Sequence, residues 1–110
     1  MRAKELASYL MEQFEGLDGV TSRAMMGGYI FYYKDKVFGG IYEPGFMVKI
    51  TPSSQKYLPE AEQMPPYQGA KNLLLVDDID DRDRLCSMVE DMYDELPPPK
   101  PKPKKTKPRD

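Results

Sequence analysis

The sequence predicts an α+β fold, an antiparallel sheet with flanking helices, and three observations carry that reading. Residues 21–50, TSRAMMGGYIFYYKDKVFGGIYEPGFMVKI, hold seven of the twelve aromatic residues and five of the eight glycines, with apolar runs broken at intervals by turn formers, the pattern of strands folded back on one another. Amphipathic helical patterns precede and follow this stretch. A proline and lysine tail closes the chain. The expected organisation is one domain over residues 1–96 and a basic Pro/Lys tail over 97–110 that lacks aliphatic and aromatic side chains and should stay disordered, extended with polyproline II character.

Taken in order, residues 3–17 place Leu6, Leu10, Phe14 and Leu17 at intervals of four, four and three, an amphipathic helix with Gly16 offering a left-handed stop. Strands are expected over Val20–Met25, Tyr29–Tyr33, Val37–Tyr42 and Phe46–Ile50. Gly27 and Gly28 permit a bend or bulge between the first two, Lys34-Asp35-Lys36 turns the chain after the second, and Glu43-Pro44-Gly45 after the third. Alternation sets Tyr29, Phe31 and Tyr33 against Ile30 and Tyr32, so both faces carry large apolar groups, and helices are expected to cover one face fully and the other partly. Thr51 and Pro52 read as N-cap and first position of a short helix to Leu58, ended by Pro59. Residues 59–72 read as an irregular connection and Leu73–Val76 as a short buried strand. A terminal helix carries Leu85, Val89, Met92 and Leu96, with Asp78 or Asp80 as its cap and the surrounding aspartates favouring the positive end of its dipole. Pro97 to Pro99 end it.

Composition narrows the function. The chain has no His and one Cys among 110 residues, which closes Ser-His-Asp and Cys-His catalysis and removes the ligands of ordinary structural zinc sites. No catalytic residues, metal or cofactor are assigned, and a non-enzymatic protein is expected. No run approaches the roughly 18–20 apolar residues needed to cross a bilayer, and the first residues lack the apolar centre of a secretory signal. A cytoplasmic address and no membrane contact are expected. The net charge of -2 hides an asymmetry: residues 97–110 hold five Lys, one Arg and one Asp, a net of +5, which leaves -7 on residues 1–96. An acidic body repels nucleic acid, so Lys100, Lys102, Lys104, Lys105, Lys107 and Arg109 are the candidate nonspecific DNA tether. Solubility, or contact with the acidic body, explains the same residues.

Several features have plain structural readings. Cys86 lies between Leu85 and Val89 and reads as packing, with nearby acids disfavouring a thiolate. The run Asp77, Asp78, Asp80, Asp81 and Asp83 lacks the Gly and terminal Glu of a calcium loop and reads as a solvated helix start. The pairs Gly27-Gly28 and Gly39-Gly40 lack nucleotide-binding spacing and read as bulges or close crossings. Tyr29, Tyr32, Tyr33 and Tyr42 read as core and rim packing, because the acidic body lacks the basic signature of sheet-based RNA binders.

The stretch from Thr21 to Ile41 resembles the TfoX/Sxy N-terminal domain family, in which a Thr-x-Arg-x-Met-Phe-Gly-x-Tyr run precedes a hairpin and a strand. Thr21, Arg23, Met25, Gly27 or Gly28, and Tyr29 fill that run. The likeness continues through Met47-Val48-Lys49, Pro65-Pro66-Tyr67-x-Gly69-Ala70-Lys71, Asp80-Asp81-Arg82 and the terminal Leu96-Pro97 with its Lys/Pro tail. Met26 stands where the family usually has Phe, and Asp35-Lys36 replaces its Asp-Gly turn, so that Lys36 either adopts a left-handed conformation or the turn differs in type. The resemblance implies the order α-β(3)-α-β(2)-α, with the second late strand near Tyr67, and no catalytic residues. Longer members regulate natural competence together with a transcription activator and carry a separate C-terminal domain not recognised in this sequence. The expectation is therefore a bacterial regulatory or adaptor module acting by protein contact, its partner a transcription activator, with a scaffold or chaperone-like module lacking any nucleic-acid role as the alternative. Arg23, Met25, Gly27, Gly28 and Tyr29 are the candidate contact residues. Arg23 could instead pair with an acid of the terminal helix. Oligomeric state is left open.

Overall fold

A computed structural model describes residues 2–25 and 27–98. Its elements run α1 (Ala3–Gln13), β1 (Val20–Met25), β2 (Gly28–Tyr33), β3 (Lys36–Tyr42), β4 (Gly45–Val48), α2 (Pro52–Tyr57), β5 (Gln63–Met64), β6 (Leu73–Leu75) and α3 (Arg82–Met92), with a 3-10 turn at Tyr93–Glu95. This is an α+β fold. Its order is close to the expected one, with Gly45–Val48 standing as a fourth strand before α2. The strands form one antiparallel sheet in the order β1-β2-β3-β4-β6-β5.

Alternation along the strands decides what is buried. Phe31 and Tyr33 of β2, Phe38 and Ile41 of β3, Phe46 and Val48 of β4 and Leu74 of β6 join Leu10 and Phe14 from α1 and Leu85, Met88, Val89 and Met92 from α3 in one core. Phe14 sits at its centre, edge-on to Phe38 with ring centroids 5.5 Å apart, and Phe31 meets Phe46 the same way at 5.7 Å. Such pairs add about 0.5–1.5 kcal/mol beyond the area they bury. The helices gather on this face. On the other lie Ile30, Tyr32 and Tyr42, half buried, and Met47, fully buried outside the main core. The partial cover there is not helical: Pro66 and Tyr67 of the irregular connection lie beside Tyr42, with the two tyrosine rings 6.4 Å apart.

Several boundaries differ from the sequence reading, each for a local reason. Helix α1 ends at Gln13 and the chain then turns, Leu17 N–H donating to the Phe14 carbonyl. The left-handed residue before the sheet is Gly19 (φ +100°), not Gly16. Gly27 (φ +83°) closes a tight hairpin in which Met25 pairs with Gly28, whereas the bulge lies further on. There Phe31 pairs with Gly39 and Tyr32 with Val37, so Phe38 is the extra residue. In the next hairpin Lys34 (φ 49°) and Asp35 (φ 72°) take the left-handed conformation and Lys36 opens β3. That is the two-residue turn that suits the twist of paired strands. It is pinned from the 3-10 turn after α3, since Lys36 Nζ lies 4.1 Å from the Tyr93 ring centre and donates to its carbonyl at 2.9 Å. The second late strand is Gln63–Met64, upstream of Tyr67, because Pro65 and Pro66 cannot continue a ladder.

Helix α2 begins as its sequence indicates. Thr51 Oγ1 accepts from the Ser54 amide at 3.0 Å, while Ser54 Oγ accepts from the Thr51 amide at 2.8 Å, the reciprocal arrangement of a capping box. Helix α3 is capped by Asp81, whose carboxylate accepts from the Arg84 amide at 3.1 Å, not by Asp78 or Asp80. Those two are engaged elsewhere: Asp78 accepts from the Asp80 amide, and the Tyr9 hydroxyl donates to Asp80. The Asp77–Asp83 run is thereby tied to α1, with Gln13 also donating to the Ile79 carbonyl at 2.8 Å.

Candidate functional site

Met25, Gly27, Gly28 and Tyr29 of the Thr21–Tyr29 motif fall at the end of the sheet where the β1–β2 and β3–β4 turns lie side by side, whereas Thr21 and Arg23 lie further along β1, paired with Tyr32 and Ile30. At the turn end Met25, Gly27, Gly28 and Tyr29 line a cleft of about 940 Å³. Its other walls are Ala3 and Leu6 from the start of α1, Ile30 of β2, residues 41–45 around the β3–β4 turn, and Pro66 and Tyr67. Local structure explains the shape. A Cβ on Gly28 would collide with the Ile41 carbonyl oxygen, so only glycine lets β2 and β3 approach this closely. Gly27 supplies the positive φ of the turn and leaves open space around it.

The cleft is mainly apolar, and Glu43 is its charged side chain. Met25 is 46% exposed and Tyr67 65%, the two exposed large apolar residues among those described. Burial pushes the Tyr42 phenol above its ordinary range, with Tyr67 and Tyr32 adding to the effect. Tyr42 is therefore a neutral hydrogen-bonding group at neutral pH. The chemistry on offer is apolar contact, aromatic stacking and hydrogen bonding.

Arg23 lies apart from this cleft. It stands on exposed β1 opposite Ile30, on the face away from α3, and makes no ion pair among the described residues. The alternative pairing with an acid of the terminal helix is not found. Cys86 is half buried at the α1–α3 contact, its thiol directed to the Gln13 carbonyl at 3.4 Å and pushed up in pKa chiefly by burial. No group of three or more His, Cys, Asp or Glu among the described residues is placed to hold a metal ion. No described helix is long and apolar enough to cross a membrane. Lys100, Lys102, Lys104, Lys105, Lys107 and Arg109, like Met26, lie outside the described residues.

Sequence reasoning did not single out Ala3, Leu6, Glu43, Pro66 and Tyr67 as cleft residues. A signal existed for two of them, since Pro66 and Tyr67 stand in the Pro65–Lys71 stretch of family likeness. The comparison with known proteins bears on all these stretches up to Leu96, because residues 12–96 match the TfoX N-terminal domain. The chain belongs to the TfoX N-terminal domain family. It is also 28% identical over 102 residues to the "Uncharacterized 12.7 kDa protein in trpE 5'region" of Spirochaeta aurantia, covering 92% of this chain and 89% of that one. No solved structure gives a significant match. Membership of the TfoX N-terminal domain family supports a regulatory module of the competence-regulator kind.

Proposed function

We propose that the protein is a non-enzymatic regulatory or adaptor module of the cytoplasm, acting by contact with a protein partner such as a transcription activator, with the basic tail adding a nonspecific hold on DNA. The observation that carries the reading is the convergence of Met25, Gly27, Gly28 and Tyr29 on an apolar cleft that no described side chain fills. Apolar clefts rimmed by exposed aromatic and methionine side chains suit polypeptide recognition. The acidic body and basic tail divide the work, one contacting protein and the other phosphate.

Deletion of the gene should alter expression of a defined set of transcripts, and Met25→Ser should reproduce that change. An unchanged transcriptome would remove the regulatory reading. The tail is tested by fluorescence anisotropy of a labelled random duplex with the full chain and with a chain ending at Leu96. Tail-dependent binding should fall with salt on a log-log slope steeper than about -4 if most of the six cations engage phosphates. Absence of binding by the full chain at low salt would leave protein contact alone.

A second reading is favoured by the exposure of Met25 and Tyr67, namely a scaffold or chaperone-like module that holds polypeptides without nucleic acid. Partner capture that survives nuclease treatment and tail removal, with no transcriptional change on deletion, would select it.

A further inference from the structure

We propose that the free edge of β1 takes up an extended segment of a partner protein by antiparallel strand addition, and that this segment presents an apolar residue opposite Ala24 followed by a carboxylate opposite Arg23. The inference rests on the reading of the chain as a protein-contact module and names the chemistry of that contact.

Backbone geometry comes first. The Lys34 amide donates to the Gly19 carbonyl at 2.9 Å, and the register from Val20↔Tyr33 to Met25↔Gly28 is unbroken. Antiparallel pairing alternates bonded and non-bonded pairs. Thr21, Arg23 and Met25 therefore direct their N–H and C=O groups to β2, and those of Val20, Ser22 and Ala24 point away from the sheet. Residues 21–25 are all exposed, and β1 carries no proline and no bulge. The opposite edge is different. Strand β5 spans two residues and is followed by Pro65 and Pro66, which have no N–H to offer. Proteins ordinarily blunt a strand edge in that second way, and a long unblunted edge is the template on which an extended peptide adds.

Side chains then specify the occupant. Beside the β1 edge a hollow of about 380 Å³ is lined by Ala3, Lys4, Ala24, Met25, Gly28 and Tyr29, among others. The methyl groups of Ala3 and Ala24 leave room for an apolar side chain lying along the Lys4 stem and the Tyr29 ring. The next residue of the incoming strand points to the other face, where Arg23 stands. Neither Lys4 nor Arg23 makes an ion pair among the described residues, although residues 1–96 carry a net charge of -7. Two unpaired cations beside an open edge of an acidic domain select a segment that brings a carboxylate. A second copy fits less well, because pairing β1 with β1 would bring together two arginines and two acidic domains. The chain's own tail fits less well by composition, since its prolines offer no N–H and its charge matches that of Lys4 and Arg23.

The test uses the full chain and a fluorescein-labelled ten-residue peptide of alternating Thr and Val with Leu-Asp at its centre, against a counterpart with Leu-Lys. The parent chain should bind the Leu-Asp peptide at least tenfold more tightly, and Arg23→Glu should reverse the preference. Ser22→Pro, which removes an outward N–H that β2 does not use, should abolish binding while circular dichroism and melting stay close to the parent. Equal affinity for the two peptides, no binding of either, or unchanged affinity in Ser22→Pro would overturn the proposal. So would a parent chain that sediments as a dimer while Ser22→Pro sediments as a monomer, since the edge would then belong to a second copy. Peptide binding together with an unchanged transcriptome on deletion would keep this inference and remove the regulatory reading, whereas the reverse pair of results would remove this inference alone.

Discussion

On β2, Phe31 and Tyr33 lie buried beneath the helices, while Ile30 and Tyr32, their chain neighbours, stay half exposed on the other face. The same contrast runs along the sheet's width and length. Toward the helices, four phenylalanines, α1 and α3 close a continuous core. Away from them the cover is an irregular segment, and one end of the sheet opens into the cleft. The two sides share strands and backbone, so the difference comes from what the sequence lays over each. Helical mass on one side secures the fold, which leaves the other side and the β1 edge available for contact without loss of stability.

The comparison can be broken most severely from the covered side. Phe31→Ala removes a side chain with no exposure that contacts three other phenylalanines and should cost about 3–5 kcal/mol in chemical denaturation. Gly28→Ala is expected to cost about 1–3 kcal/mol, because its Cβ meets the Ile41 carbonyl and β2 must shift from β3. It should also deform the cleft, so partner binding falls with stability. Asp35→Gly works in the opposite direction: a left-handed aspartate is relieved, and stability should rise by up to about 1 kcal/mol.

A smaller effect tests the clamp between α2 and the 3-10 turn that follows α3. The Ser53 hydroxyl and amide donate to Glu95 at 2.6 and 2.9 Å and hold its carboxyl below the ordinary range. A depressed folded pKa contributes stability above the unfolded value and loses it as pH falls through the folded one. The melting difference between the parent and Glu95→Gln should therefore be present at neutral pH and shrink on acidification below the usual Glu range. At the far end of the scale, Met25→Ser on the cleft rim should stay within about 0.5 kcal/mol of the parent. A large loss there would mean the cleft is part of the core.

Much of this contrast was legible in the residues. Alternation from Tyr29 to Tyr33 separated the two faces, Thr51-Pro52 marked a real helix start, and the spacing of Leu85, Val89, Met92 and Leu96 found four buried positions. Other features depend on pairing that no local pattern encodes. Gln63–Met64 is a strand because β6 lies beside it, and Asp81 caps α3 because Asp78 and Asp80 are held elsewhere. Gly16 and Gly19 offered the same conformational freedom, and it is Gly19, after the turn that follows α1, that takes the positive φ. Of the five motif residues, Met25, Gly27, Gly28 and Tyr29 meet in the cleft, whereas the side chain of Arg23 is set apart on the open face. Arg23 shares the face of Met25, two residues on, and the separation is one of distance along β1 from the β1–β2 turn. That β1 forms an open edge follows only from the strand order.

Amide hydrogen exchange along β1 in the full chain, without peptide, tests the open edge most directly. The amides of Thr21, Arg23 and Met25, bonded to β2, should be protected, and those of Val20, Ser22 and Ala24 should exchange rapidly. Protection of both sets would contradict the account, because the β1 edge would already be covered.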